Sequence, residues 1–326
     1  MIVKFVMRAT FAATLVAALP FSSASYAFQL AISQYGRVTA TLPWAVAMEK
    51  GYFDEAGIKI DQVIAGAGGG TTLRNVLASD MPYGEVATSA AIAASRSGLD
   101  IVIVNSASSH IGEIALVADQ KSDVHKVTDL AGKKVGYTAP KSTSDVLLHL
   151  ALKETQMTDK VETVATGGFG PGLTALMAGA IAAAPLIDPV LTLEPDKYRV
   201  ILKFADLIPR MTWLVGITTR EFATKNPELL RKLIAIHRRG AEYIYANRDD
   251  AMRVYAKVWQ QDPAQVATYF PKYFGYEGEW TRGEFERVGL AKMSEGLQLV
   301  GDVDQPVDWD KLIDPEFLPN DLQKPL

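Results

Sequence analysis

Residues 161–179 read VETVATGGFGPGLTALMAG, and their order decides the expected fold. Residues 161–165 are a short β-branched run that predicts a strand. Residues 166–174 follow as a glycine- and hydroxyl-rich turn, and residues 172–177 have the spacing of a short helix. The same unit occurs earlier in the chain. Residues 58–64, 66–70 and 71–78 form one copy, and residues 133–137, 138–144 and 142–154 another. Residues 86–88 and 89–97, meeting at Thr88-Ser89, form a weaker one. Strands that alternate with helices predict an α/β protein with mainly parallel sheets, and two rounds of the pattern predict two such lobes.

Further out, residues 28–33, 101–104, 114–118, 181–187, 199–204 and 213–219 read as strands. Residues 42–50 have helical spacing and stop at Gly51, a good helix terminator. From Pro227 the chain is helical over residues 227–245, 248–259, 263–270 and 283–297. The tail from Gly301 holds Pro306, Pro315, Pro319 and Pro325 and is expected to lie extended on the surface.

Each strand–turn–helix unit carries the same physical device. A helix start leaves backbone N–H groups without partners and carries partial positive charge, so it can hold a carboxylate, a sulfonate or another polar group. In open α/β sheets such turns lie at the carboxyl ends of strands, where ligands bind. The competing reading is ordinary capping, for which Gly, Ser and Thr are equally suited. The run at residues 66–70 lacks the Lys-Ser/Thr pair of a phosphate loop. In the turn after the first strand, Arg37 is placed to grip an anion bidentately, or to stand solvated on the surface. Tyr35, Trp44, Phe169 and Trp213 offer aromatic walls, and Trp44 also fits a core position. Glu113 and Asp188 either line a cleft or satisfy a neighbouring donor.

Composition narrows the function. Lys4 and Arg8, the apolar run 9–19, then Ser25-Tyr26-Ala27 predict an export signal over residues 1–27 with cleavage after Ala27. The run is short for a bilayer span, which takes about 20 apolar residues, so stable membrane insertion is not expected. The 326-residue chain has a formal charge of −4, which becomes −6 without the two basic residues of the leader. That balance speaks against nucleic acid as a partner. No cysteine is present, which removes disulfides, thiolate metal sites and a cysteine nucleophile. His110, His125, His149 and His237 are scattered without metal-ligand spacing, and no nucleophile elbow occurs. Neither a metal, a cofactor nor an enzymatic activity is expected.

Four ordered pieces resemble a known family. Pro43-Trp44-Ala45-Val46-Ala47-Met48-Glu49-Lys50-Gly51-Tyr52-Phe53 resembles P-x-x-V-A-x-E-K-G-Y-F, and Gly57-Ile58-Lys59-Ile60 resembles G-L-x-V. Asp129-Leu130-Ala131-Gly132-Lys133-Lys134-Val135-Gly136 resembles D-L-K-G-K-K-I-G, and Ala175-Leu176-Met177-Ala178-Gly179 resembles A-L-x-x-G. Together they are similar to the periplasmic substrate-binding proteins of the nitrate, sulfonate, taurine and thiamine-pyrimidine group of ABC importers. The resemblance implies a type II periplasmic-binding-protein fold, with two α/β lobes joined by two crossovers around a ligand cleft. It implies lobes at residues 28–110 plus 211–326 and at residues 111–210. It places ligand contacts at Tyr35, Gly36 and Arg37, at Gly69, Gly70 and Thr71, and at Thr88 and Ser89 of the first lobe. In the second lobe it places them at Lys141, Ser142 and Thr143 and at Gly168, Phe169 and Gly170. Asp188, before Pro189, stands where the family often has Glu-Pro. Pro82 and Ala182 depart from the family's usual Asp positions.

The expected function is then a periplasmic monomer that captures a small, anionic organic solute, a sulfonate or carboxylate with or without an aromatic part. It would deliver that solute to a membrane permease and its ATPase. The alternatives are a thiamine-pyrimidine-like solute, or a sensor input to a membrane receptor.

Overall fold

The computed structural model describes residues 27–66 and 68–324; the expected leader, residues 1–27, lies outside them except for Ala27. Among the described residues, ten strands are laid down in chain order: β1 (Ala27–Ser33), β2 (Lys59–Gly66), β3 (Tyr83–Ala87), β4 (Ile101–Ser108), β5 (Ile114–Asp119), β6 (Lys134–Tyr137), β7 (Glu162–Ala165), β8 (Ala184–Ile187), β9 (Tyr198–Lys203) and β10 (Leu214–Thr219). The first sheet has the order β2-β1-β3-β10-β4. Here β1 runs parallel to β2 and β3, while β10 runs antiparallel to β3 and β4.

The second sheet repeats that plan. β5 lies antiparallel between β8 and β9, and β6 lies parallel to β7. The two pieces join where Val135 and Ala183 pair in parallel, with the Gly136 amide donating to the Ala183 carbonyl at 2.8 Å. The combined order is β7-β6-β8-β5-β9. The expectation of mainly parallel sheets therefore needs correcting. Both sheets are mixed, because the antiparallel strand of each enters from the other half of the chain. Residues 109–113 carry the chain across once, and residues 204–213 carry it back.

Among the described residues, nine helices of seven residues or more cover the sheets: α1 (Leu42–Glu49), α2 (Gly69–Leu77), α3 (Thr88–Arg96), α4 (Thr143–Glu154), α5 (Phe169–Met177), α6 (Pro227–Ala246), α7 (Arg248–Val258), α8 (Pro263–Tyr269) and α9 (Arg287–Leu299). Strand β4, buried at every position, reads as a continuous apolar run before its polar end. Helix α1 buries Leu42 through Ala47, because it lies sandwiched between the first sheet and α6. A helix that is apolar on all sides is one buried on all sides. Helix α9 lies along α4, where Lys153 meets Glu295 at 2.7 Å.

The tail differs from the expected surface strand. Ile313 pairs with Ile103 on β4, and Phe317, Leu318 and Leu322 enter the core of the first sheet. Its prolines prevent a long helix, but the apolar residues between them still find buried places. Among the described residues no helix is long and apolar enough to cross a membrane.

The contact of α1 with α6 depends on one glycine. A Cβ at Gly240 would run into the carbonyl group of Pro43, which is backbone and cannot swing aside. The substitution Gly240→Ala is expected to lower stability by about 1–3 kcal/mol through overpacking. Urea unfolding reads this directly, and an unchanged midpoint would reject the close approach.

Candidate functional site

Four helix starts stand at the carboxyl ends of strands, as the turns predicted. Helices α2 and α3 follow β2 and β3 in the first sheet, and α4 and α5 follow β6 and β7 in the second. In the first pair, a Cβ at Gly69 would lie 2.7 and 2.8 Å from the Ala90 and Ala87 methyl groups. Lack of a side chain thus lets α2 close on α3, while Gly70 and Thr71 remain exposed. Thr88 and Ser89 are buried, and the Thr88 amide donates to the Trp213 carbonyl at 2.9 Å.

In the second pair, hydroxyls knot the turn before α4. The Thr138 amide donates to Ser144 Oγ at 2.9 Å, and Thr138 Oγ1 lies 2.9 Å from Ser142 Oγ. Ser142 Oγ caps the Asp145 amide at 3.3 Å. Lys141 adopts φ 63°, donates its amide to Asp145 at 2.7 Å, and reaches Asp302 with Nζ at 2.8 Å. Thr143 is half-buried at the first position of α4. Before α5, Gly167 and Gly168 adopt φ 89° and 152°, a backbone that admits glycine readily. Phe169 is half-buried against the core of the second sheet, and Gly170 is exposed.

Two of the aromatic residues expected to line the site pack against other parts of the protein. Trp213 is buried and donates its indole N–H to Ser108 Oγ at 2.9 Å and to the His110 carbonyl at 2.8 Å. It therefore ties the two crossovers together. Tyr35 packs on Trp259 with ring centroids 6.0 Å apart, and its hydroxyl is pushed up to about 12, first by burial and then by Glu49. Gly36 turns the chain at φ 72°, and Arg37 is exposed.

A buried acidic cluster forms a base where the first crossover ends at Glu113. Glu113, Asp188 and Glu279 are all fully buried. Glu113 Oε2 accepts the Thr39 amide at 2.8 Å, and Glu279 Oε1 accepts the Thr39 hydroxyl at 2.5 Å. Asp188 accepts the Tyr273 and Thr192 hydroxyls, each at 2.8 Å, and pairs with Lys272. The Asp188 amide in turn donates to the Glu113 carbonyl at 3.1 Å. Burial, and next the facing Glu279, push the Glu113 carboxyl well above the usual range. Burial pushes Glu279 up to about 8. Glu113 and Asp188 were legible as cleft candidates. Thr39, Lys272, Tyr273 and Glu279 were not, because none lies in a motif and Glu279 meets Thr39 across 240 positions. Among the described residues no group of His, Asp and Glu is arranged to hold a metal ion.

This combination of paired sheets, helix starts and a crossover base is that of a periplasmic-binding-protein fold. The NMT1/THI5 like family profile matches residues 39–251. The chain belongs to that family. A candidate binding protein of Brucella abortus strain 2308 is 26% identical over 231 residues, which cover 69% of each chain. In structure, the periplasmic aliphatic sulphonate binding protein SsuA from Escherichia coli superposes with a TM-score of 0.72. It is 18% identical, over 89% of this chain and 92% of its own. The desulfurization enzyme DszB also shares the fold, with a TM-score of 0.62 and 16% identity over 89% of this chain and 97% of its own. The fold alone therefore accommodates both binding and catalysis.

Asp188 is the acceptor for three donors at the base. Asp188→Ala strands the buried Tyr273 hydroxyl, and a loss of about 1–3 kcal/mol in urea unfolding is expected. A variant as stable as the parent would mean that Tyr273 finds another acceptor.

Proposed function

We propose that this protein is the solute-binding component of an ABC importer, working in the periplasm after its leader is removed. A small organic solute is captured non-covalently between two lobes, residues 28–110 plus 211–326 and residues 111–210. The loaded protein, a monomer, then docks on a membrane permease coupled to an ATPase. The observation that carries this reading is the repeated sheet plan, with helix starts at the strand ends of both sheets and two crossovers beneath them. A solute that touches both lobes favours the closed arrangement, and closure is what a permease can sense. Membership of the NMT1/THI5 like family and the binding-protein relative support it, and favour a binder over an enzyme.

For the solute, the helix starts that carry the exposed residues Gly70, Thr71 and Gly170, with the exposed Arg37, favour an anion, a sulfonate or carboxylate. A second reading has a specific observation behind it. The Thr39 amide, just before α1, is already taken by Glu113. A base of buried carboxylates favours a solute rich in N–H donors, such as a thiamine-pyrimidine-like compound.

Thermal-shift measurements on the leader-free protein test these readings against sulfonates, carboxylates, nitrate, pyrimidines and amino acids. A solute that binds only the folded state adds about 2.7 kcal/mol at a hundredfold excess over its Kd. One responsive class is expected. No response in protein freed of co-purified solute would count against solute capture. If the responding class is anionic, Arg37→Ala should weaken its binding about tenfold or more, with melting of the free protein unchanged. Equal affinity would take Arg37 out of the site.

A further inference from the structure

Helix α9 comes from the last part of the chain but packs on the second half. Met293, Leu297 and Val303 share an apolar cluster with Val146, Leu147, Leu150 and Leu152 of α4. The two helices approach closely because Gly296 has no side chain: a Cβ there would run into Val146 and Leu150. Two polar pairs flank the crossing, Lys153 with Glu295 at 2.7 Å and Glu154 with Lys292 at 3.8 Å. Just beyond the helix, the buried Asp302 takes Lys141 Nζ, from the turn before α4, at 2.8 Å. Lys141, expected from the sequence as a ligand contact, is thus held by the tail.

The chain on both sides of α9 is fixed to the first sheet. Before it, the Thr281 amide donates to the Ala107 carbonyl at 3.2 Å and the Ser106 amide to the Gly283 carbonyl at 3.0 Å. After it, the Asp314 amide donates to the Ile103 carbonyl at 2.9 Å, and Phe317 and Leu318 are buried in the core of the first sheet. Residues 284–286 and 304–308, neither helix nor strand, connect these anchors to α9. After the two crossovers the chain therefore leaves the first half once more and returns.

The contacts of α9 with the rest of the chain are uneven along its length. In its first turn, the Thr212 amide of the second crossover donates to the Gly289 carbonyl at 3.1 Å, and a Cβ at Gly289 would lie 2.7 Å from Thr212 Oγ1. Leu290 joins apolar residues of the first sheet. At the far end, Ile92 of α3 joins the apolar cluster, and Arg96 reaches Asp302 at 3.6 Å with its side chain half exposed. An exposed ion pair of this length contributes little. A helix held by its first turn on a crossover, and packed by its later turns on α4, is placed to turn with the second half about that first turn.

We propose that residues 287–303 are a strap that belongs to the second half. Helix α9 moves with residues 111–210, pivots at Gly289 on the second crossover, and is tethered to the first half by residues 284–286 and 304–308. The halves are then joined by four chain segments, and the two tethers bound how far they part. The inference rests on the two-lobe reading above and moves residues 287–303 from one lobe to the other.

Hydrogen exchange of the leader-free protein, read by mass spectrometry on peptides from α4, α9 and β1, tests this without a solute. Leu186→Ala opens a cavity in an apolar cluster of the second half that contains no residue of α9. Exchange in α4 and α9 is expected to rise together, by about tenfold or more, with β1 unchanged. Leu30→Ala, in a cluster of the first sheet that is also free of α9 residues, should raise exchange in β1 and leave α9 as protected as α4. Leu186→Val and Leu30→Val open smaller cavities and replace either alanine variant that fails to fold. The proposal is overturned if α9 stays protected while α4 opens, or if it follows the Leu30 variant or both variants alike. Should α9 follow α4 while no solute responds by thermal shift, the strap stands and solute capture falls. The opposite pair of results keeps capture and removes the strap.

Discussion

Each sheet is completed by a strand that arrives from the other half of the chain. β10 reaches the first sheet only after the second has been built, and β5 enters the second directly from β4. Both strands sit inside their sheets with hydrogen-bonded neighbours on either side. Separating the halves would tear ladders in both sheets, whereas rotating them about the crossovers leaves every ladder whole. The Trp213 indole fixes where the two crossovers meet, bonded to Ser108 and His110 on the first while carried at the end of the second. The two crossovers are thereby joined at one place.

What lies beneath it is expensive to bury. Three carboxylates with Lys272 as the partnering cation would be costly in any closed interior, since ions lose solvation faster than they gain partners. The cost is reduced by Thr39, by the helix-start amides, and by hydroxyls from Tyr273 and Thr192.

Local sequence carried the elements and the turns, because β-branched runs and glycine-rich breaks act over a few residues. Strand β1, the turn before α5 and the helix start at Ser142 all fall where residue type placed them. Pairing partners are another matter. Nothing in the residues 214–219 says that they will insert antiparallel between β3 and β4, since an apolar strand fits either direction. Tyr35 and Trp213 looked like cleft walls because aromatic residues beside a turn are equally suited to core and to ligand. Their surroundings, Trp259 for one and Ser108 for the other, come from distant chain. Lys272, Tyr273 and Glu279 also lie outside the residues 39–251 that define the family match. The part of the base that they supply is therefore beyond what family resemblance reaches.

Helix starts around Gly70, Thr71 and Gly170 favour negative charge, whereas Glu113, Asp188 and Glu279 are fully buried and take their donors from the protein itself. The two sets of groups therefore do different work: the acids tie distant segments together, and an anion would meet the helix starts and not the acids.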